Sequence, residues 1–92
     1  MCIHYKLKIT GKVQGVWCRK YIFDKASEWK INGYVKNNED GSVLTEIETN
    51  DPKKAQAFIE WLYECSPLSK VEKVEVIEEK ECSGFKDFQI IR

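Results

Sequence analysis

The hydrophobic period of the chain changes once near its start, and that change limits the possible folds more than any other feature. Residues 3–10 alternate, with Ile3, Tyr5, Leu7 and Ile9 on one face and His4, Lys6, Lys8 and Thr10 on the other. This is the pattern of a strand half buried against a core. From Trp17 the apolar spacing becomes helical: Ile22, Ala26 and Trp29 fall at i, i+4 and i+7, and Phe23 widens the stripe. The two patterns meet in Gly11-Lys12-Val13-Gln14-Gly15-Val16-Trp17-Cys18-Arg19-Lys20-Tyr21. A strand that passes through a glycine loop into a helix gathers backbone N–H groups and the positive helix end at one point. Arg19 stands there as a planar fork of donors, so the stretch reads as an anion cradle.

The remaining pattern supplies the partners of this first unit. Asn32-Gly33 is expected to stop the helix with a left-handed residue. Residues 34–37 and 42–49 read as a β-hairpin turned by Asn38-Glu39-Asp40-Gly41. Asn50 or Asp51 caps a second helix, Pro52 suits its first position, Ala55, Phe58, Ile59 and Leu62 form its apolar stripe, and Ser66-Pro67 ends it. Residues 71–79 predict a strand with mixed faces, and after Ser83-Gly84 residues 85–91 give a last short one. The order β-α-β-β-α-β-β predicts an α+β fold, a ferredoxin-like split βαβ sandwich with two helices on one face of a five-stranded, mostly antiparallel sheet. With 92 residues, of which 42% are hydrophobic, residues 1–92 are expected to form one domain.

Charge and residue counts remove most alternatives. Fifteen basic residues balance fifteen acidic ones, so no overall field points to nucleic acid or membrane. The halves differ: residues 1–36 carry eight Lys/Arg against two acids and residues 37–92 seven against thirteen, net +6 and −6. The positive side therefore surrounds the cradle, which suits a small anion. His4 is the only histidine, which excludes a two-histidine metal site, and on the polar face of its strand it reads as solvated. No GxxxxGK[ST] occurs, and no cysteine is followed six residues later by arginine. Without CxxC spacing or a signal-like leader, Cys2, Cys18, Cys65 and Cys82 are expected as reduced thiols in a cytoplasmic protein. Cys18 reads as a small buried residue rather than a nucleophile, and Trp17 as a packing or rim residue. Asn37 lies toward the C-terminal end of the second strand, as the cradle lies at the C-terminal end of the first, and reads either as a functional group or as a turn former, a part Asn38 could play equally well. Spacing alone does not bring Asn37 to Arg19.

Two stretches carry a family resemblance. Gly11-x-Val13-Gln14-Gly15-Val16-x-x-Arg19 resembles the first signature of acylphosphatases, and Gly33-Tyr34-Val35-Lys36-Asn37-x-x-x-Gly41-Ser42-Val43 resembles the second. The likeness runs on through Phe58-Ile59-Glu60-Trp61-Leu62, Val71-x-x-Val74 and Phe88-x-Ile90. It implies hydrolysis of the carboxyl–phosphate bond of small acyl phosphates, without metal, cofactor or covalent intermediate. Arg19 and Asn37 would be the catalytic residues, Arg19 on the phosphoryl oxygens and Asn37 orienting water. Gln14, Gly15, Val16, Trp17, Cys18 and Arg19 would form the phosphate-binding loop. A carboxylate is a good leaving group, so the reaction can proceed by positioning and charge stabilisation alone. The resemblance also implies a monomer that takes inorganic phosphate or sulfate as product-like ligands and binds no nucleic acid or membrane. The competing expectation is a non-catalytic ferredoxin-like module that binds an anion or RNA; against RNA stand the balanced charge and the missing aromatic strand motif.

The chain departs from the family pattern at Cys18, where an aromatic residue is usual, and at Thr49, where a glycine is usual. The first is expected to loosen the loop unless Trp17 compensates, and the second to rebuild the end of the third strand.

Overall fold

A computed structural model describes residues 2–91. Strand β1 spans Ile3–Lys12, helix α1 Cys18–Glu28, β2 Asn32–Asn37, β3 Val43–Thr49, α2 Pro52–Leu62, β4 Lys70–Lys80 and β5 Phe88–Ile91. The strands form one sheet in the order β4-β1-β3-β2-β5. Every neighbouring pair is antiparallel except β2 with β5. Helix α1 packs on β2 and β5, and α2 on β1, β3 and β4. The fold is thus the expected two helices on a five-stranded mixed sheet.

The alternation of β1 sends Leu7 and Ile9 into the core, where they meet Val35, Val43 and Ile47 of β2 and β3 with Ile22, Ala26, Phe58 and Leu62 of the helices. Each fully buried large side chain in this set contributes about 1.5–3 kcal/mol relative to exposure. Asp51 caps α2, its carboxylate accepting from the Lys53 and Lys54 amides, and Pro52 follows at the first helical position. Helix α1 ends earlier than Asn32-Gly33. Lys30 takes the left-handed conformation at φ 57°, while Asn32 already pairs with Glu48 in the sheet. Gly33 is needed for another reason: at φ 143°, a Cβ there would lie 1.8 Å from the Glu46 carbonyl oxygen.

The mixed faces of β4 come from two bulges against β1. Lys6 pairs with Glu78 but Leu7 with Val76, and Thr10 pairs with Lys73 but Gly11 with Val71, so Ile77 and Glu72 are extra residues that shift the alternation. Gly11 sits at the second bulge, where a Cβ would meet the Lys70 carbonyl oxygen at 2.2 Å.

Two expectations fail on the open face of the sheet. His4 is not solvated; it is 1% exposed, with Nε2 2.7 Å from Glu46 Oε1 and Nδ1 2.7 Å from Glu48 Oε2. The backbone amides of Ser83, Gly84 and Phe85 also donate to Glu48, and the Phe85 ring lies over the histidine, so the segment between β4 and β5 roofs the cluster. Strand alternation identified this face as polar, but the covering segment lies some eighty residues away in sequence and left no periodic signal. The thiols also depart from expectation. Cys2 and Cys82 form a disulfide that ties the entry to β1 to this roof, while Cys18 and Cys65 are free and buried.

Candidate active site

Strands β1 and β2 both run antiparallel to β3, which lies between them, so their C-terminal ends emerge at the same end of the sheet. The loop of residues 13–17 leaves one end and Asn37 closes the other. Arg19, in the first turn of α1, and Asn37 line a common cleft of about 510 Å³ with Lys36 and Ile91. Among the described residues, Asn37 Oδ1 is a buried side-chain oxygen with no hydrogen-bond donor, an arrangement that costs stability unless a ligand or water supplies one. Arg19 enters no ion pair among the described residues, so its guanidinium is available to an anion.

The loop itself has the backbone of an anion nest. Gly15 and Trp17 have φ of 73° and 70°, with Val16 between them on the ordinary side of φ. Trp17 is the N-cap of α1 but makes no side-chain capping bond, leaving the first helical amides without an internal acceptor. The Gln14 side chain is committed to the turn that follows Asn37. Its side-chain nitrogen donates to the carbonyls of Asn38 at 2.7 Å and Ser42 at 2.8 Å, fastening the loop to the turn that follows Asn37. That turn is held in its own right, because Asp40 accepts from the Ser42 amide and hydroxyl and pairs with Lys8 at 3.0 Å. These bonds, led by that from the Ser42 hydroxyl, hold the Asp40 carboxyl well below the usual carboxylate range.

Cys18 lies beneath the loop at 1% exposure, the small buried residue that was expected. Trp17 does not fill the space of the missing aromatic; it is 68% exposed. The loop is held from the C-terminal end of α2 instead, where the Ser66 hydroxyl donates to the Val16 carbonyl at 2.5 Å and Cys65 Sγ reaches the Cys18 carbonyl at 3.9 Å. The contact with the Cys65 thiol lowers the Cys18 thiol against the burial that raises it, and the same contact together with burial pushes Cys65 up. Thr49 causes no rebuilding of β3. It pairs with Ile3 in regular register, and its hydroxyl accepts from the Asp51 amide.

Lys36, Ile91 and Ser66 were missed in the sequence. Lys36 precedes Asn37 directly and was legible as part of the motif, whereas Ile91 reaches the cleft through sheet order and Ser66 reaches the loop through helix packing. Among the described residues, one group of metal-ligand type is present, Cys2, Glu48 and Cys82. Its sulfurs are spent in the disulfide and its carboxylate in bonds to His4 and three amides, so it offers no open donor set.

The family model described as Acylphosphatase matches residues 5–90. An acylphosphatase of Bacillus licheniformis is 36% identical over 88 residues, covering 96% of this chain and 97% of its own. An acylphosphatase of Thiobacillus denitrificans is 40% identical over 80 residues, covering 86% and 89%. The crystal structure of acylphosphatase from Bacillus subtilis superposes with a TM-score of 0.91 at 32% identity, covering 98% of this chain and 99% of that one.

Proposed function

Because the chain belongs to the acylphosphatase family and is an enzyme that hydrolyses acyl phosphates, we propose that Arg19 and Asn37 are its catalytic residues and that residues 14–19 bind the phosphoryl group. The observation that carries this reading is the cleft shared by Arg19 and Asn37, with the buried Asn37 oxygen lacking a donor. Arg19 takes phosphoryl oxygens through its guanidinium, and the loop amides at the uncapped start of α1 complete the cradle. Asn37 Oδ1 accepts a hydrogen bond from water and aims its oxygen at phosphorus. As the water oxygen bonds to phosphorus, the bond from phosphorus to the acyl oxygen breaks, the carboxylate leaves with the electron pair, and the water's proton passes to the phosphate. No general acid is required because the leaving carboxylate is stable unprotonated. Donors fixed before the reaction stabilise the charge that spreads over the phosphoryl oxygens.

Residues 1–92 are proposed as the unit of activity, acting as a monomer without nucleic acid and with inorganic phosphate or sulfate as product-like ligands. The family model's span of residues 5–90 supports that extent. No helix among the described residues is long and apolar enough to cross a membrane. Cytoplasmic placement is part of the proposal. In a reducing cytosol Cys2 and Cys82 would be held as thiols, so alkylation in intact cells tests it directly.

Hydrolysis of benzoyl phosphate in the presence of chelator tests the site. Arg19→Ala is expected to lower kcat/KM on the order of 10²-fold or more, the cost of a bidentate contact that strengthens in the transition state. Asn37→Ala is expected to lower kcat with a smaller change in KM, since water placement is felt mainly in the transition state. Wild-type activity in Arg19→Ala refutes the assignment, and a rate abolished by chelator refutes metal-independent hydrolysis.

A further inference from the structure

Ser66, outside both signature stretches, grips one peptide of the phosphate loop. It is buried, and its hydroxyl donates to the Val16 carbonyl at 2.5 Å. In a planar trans peptide the C=O and the following N–H point in opposite directions, and no cis peptide occurs among the described residues. With the Val16 carbonyl drawn down onto Ser66, the Trp17 N–H is turned to the open side of the loop. Among the described residues that amide has no backbone acceptor.

This orientation runs against the preference of Trp17 itself. At φ 70° and ψ 12° Trp17 has a backbone close to the third residue of a type II turn, a place that ordinarily calls for glycine. Turning the Val16–Trp17 peptide over gives the type I geometry, with φ of about −90° and ψ of about 0°, which most residues adopt readily. The same flip carries the Val16 carbonyl oxygen to the face that receives phosphate and removes the Trp17 amide from it. A left-handed tryptophan therefore needs a bond that the flipped loop loses, and Ser66 supplies it.

The end of α2 is built to deliver that hydroxyl. Cys65, itself left-handed at φ 45°, turns the chain just before Ser66, and Pro67 stiffens it just after. The Ser66 amide donates to Ser69 Oγ at 3.1 Å, and the Ser69 hydroxyl donates to the Ser66 carbonyl at 2.7 Å. Resting on residues 14–19 as the phosphoryl site, we propose that Ser66 is a positioning residue for the reaction. Its hydrogen bond keeps the Val16–Trp17 peptide turned so that the Trp17 amide faces the phosphoryl group.

The test measures the inhibition constant of inorganic phosphate against benzoyl phosphate, with kcat/KM alongside, in the wild type, Ser66→Ala, Trp17→Gly and the double variant. Without the Ser66 bond, the preference of a non-glycine residue for the flipped peptide leaves about a tenth of the molecules with the amide outward. The phosphate constant is therefore expected to rise ~10-fold in Ser66→Ala, and kcat/KM to fall by a similar factor. Glycine has no such preference, so the same change in the Trp17→Gly background should cost ~2-fold or less. A general loosening of the fold would cost the same in both backgrounds. A phosphate constant unchanged in Ser66→Ala overturns the role, as does an equal loss in the two backgrounds. In the wild-type protein the Trp17 amide resonance should shift on titration with inorganic phosphate, and a resonance that stays in place overturns the role without any variant. Wild-type phosphate inhibition in Arg19→Ala would overturn the phosphoryl site itself, a failure distinct from one confined to the Ser66 variants.

Discussion

Reduction of the Cys2–Cys82 disulfide removes a cross-link between residues 80 apart in sequence. In the chain-entropy account, closing a loop of that length lowers the entropy of the unfolded state by an amount worth about 4.5 kcal/mol at 25 °C, and removal of native bridges in small domains costs roughly 2–5 kcal/mol. Against the 5–15 kcal/mol of total stability usual for a domain, this is a large share. The catalytic geometry should not feel it. The bridge shares its surface with Thr49 and Asn50, while Asn37 pairs with Val43 at the other end of β3, about 20 Å away along the strand. Urea unfolding followed by circular dichroism, with and without reductant, measures the stability, and benzoyl phosphate turnover at 25 °C measures the site. The expected result is a midpoint lowered by ~2 M or more with kcat and KM unchanged, reproduced by the double variant Cys2→Ser, Cys82→Ser. An unchanged midpoint would refute the entropic argument. A fall in kcat while the protein remains folded would refute the separation of bridge and site.

Gly33→Ala drives a methyl group into the Glu46 carbonyl at a φ that disfavours side chains, so a loss of at least ~3 kcal/mol is expected in the same unfolding assay. Gln14→Leu removes both bonds that fasten the loop to the turn after Asn37, and steady-state kinetics should show kcat falling ~10-fold with stability lowered by about 1–3 kcal/mol. Acid stability depends on Glu46 and Glu48. Burial raises both carboxyls, but the Tyr34 hydroxyl and His4 on the first, and His4 with three amides on the second, outweigh it and hold both below the ordinary 4.5. Their folded values are depressed, so their stabilisation is complete above that ordinary value and is lost as pH falls through it toward the folded values. Unfolding free energy should therefore drop steeply below about pH 4.5, and Glu48→Gln should flatten that slope while lowering stability at neutral pH. An unchanged slope in Glu48→Gln would refute the role assigned to its hydrogen bonds.

Much of this protein was legible without coordinates because it is encoded in local patterns. Period two in residues 3–10, period 3.6 beyond Trp17, the Asp51-Pro52 start of α2 and the turn at Asp40-Gly41 each reflect a backbone geometry that its own residues favour. The glycine loop and Arg19 belong to the same class, since anion binding there uses consecutive amides and a nearby side chain. Other features were settled between segments distant in the chain. The order β4-β1-β3-β2-β5 brings the ends of β1 and β2 together and so joins Asn37 to Arg19. The roof of residues 83–85 turns a polar-face histidine into a buried one, because its amides and Phe85 exclude water from Glu48 and His4. The bridge between Cys2 and Cys82 and the support of Val16 by Ser66 likewise depend on approaches across about eighty and fifty residues. Local sequence carries torsional preference and the choice of buried face. Which distant groups share a cleft, lose water or meet as sulfur pairs is decided by packing, and packing exists only once the sheet has closed.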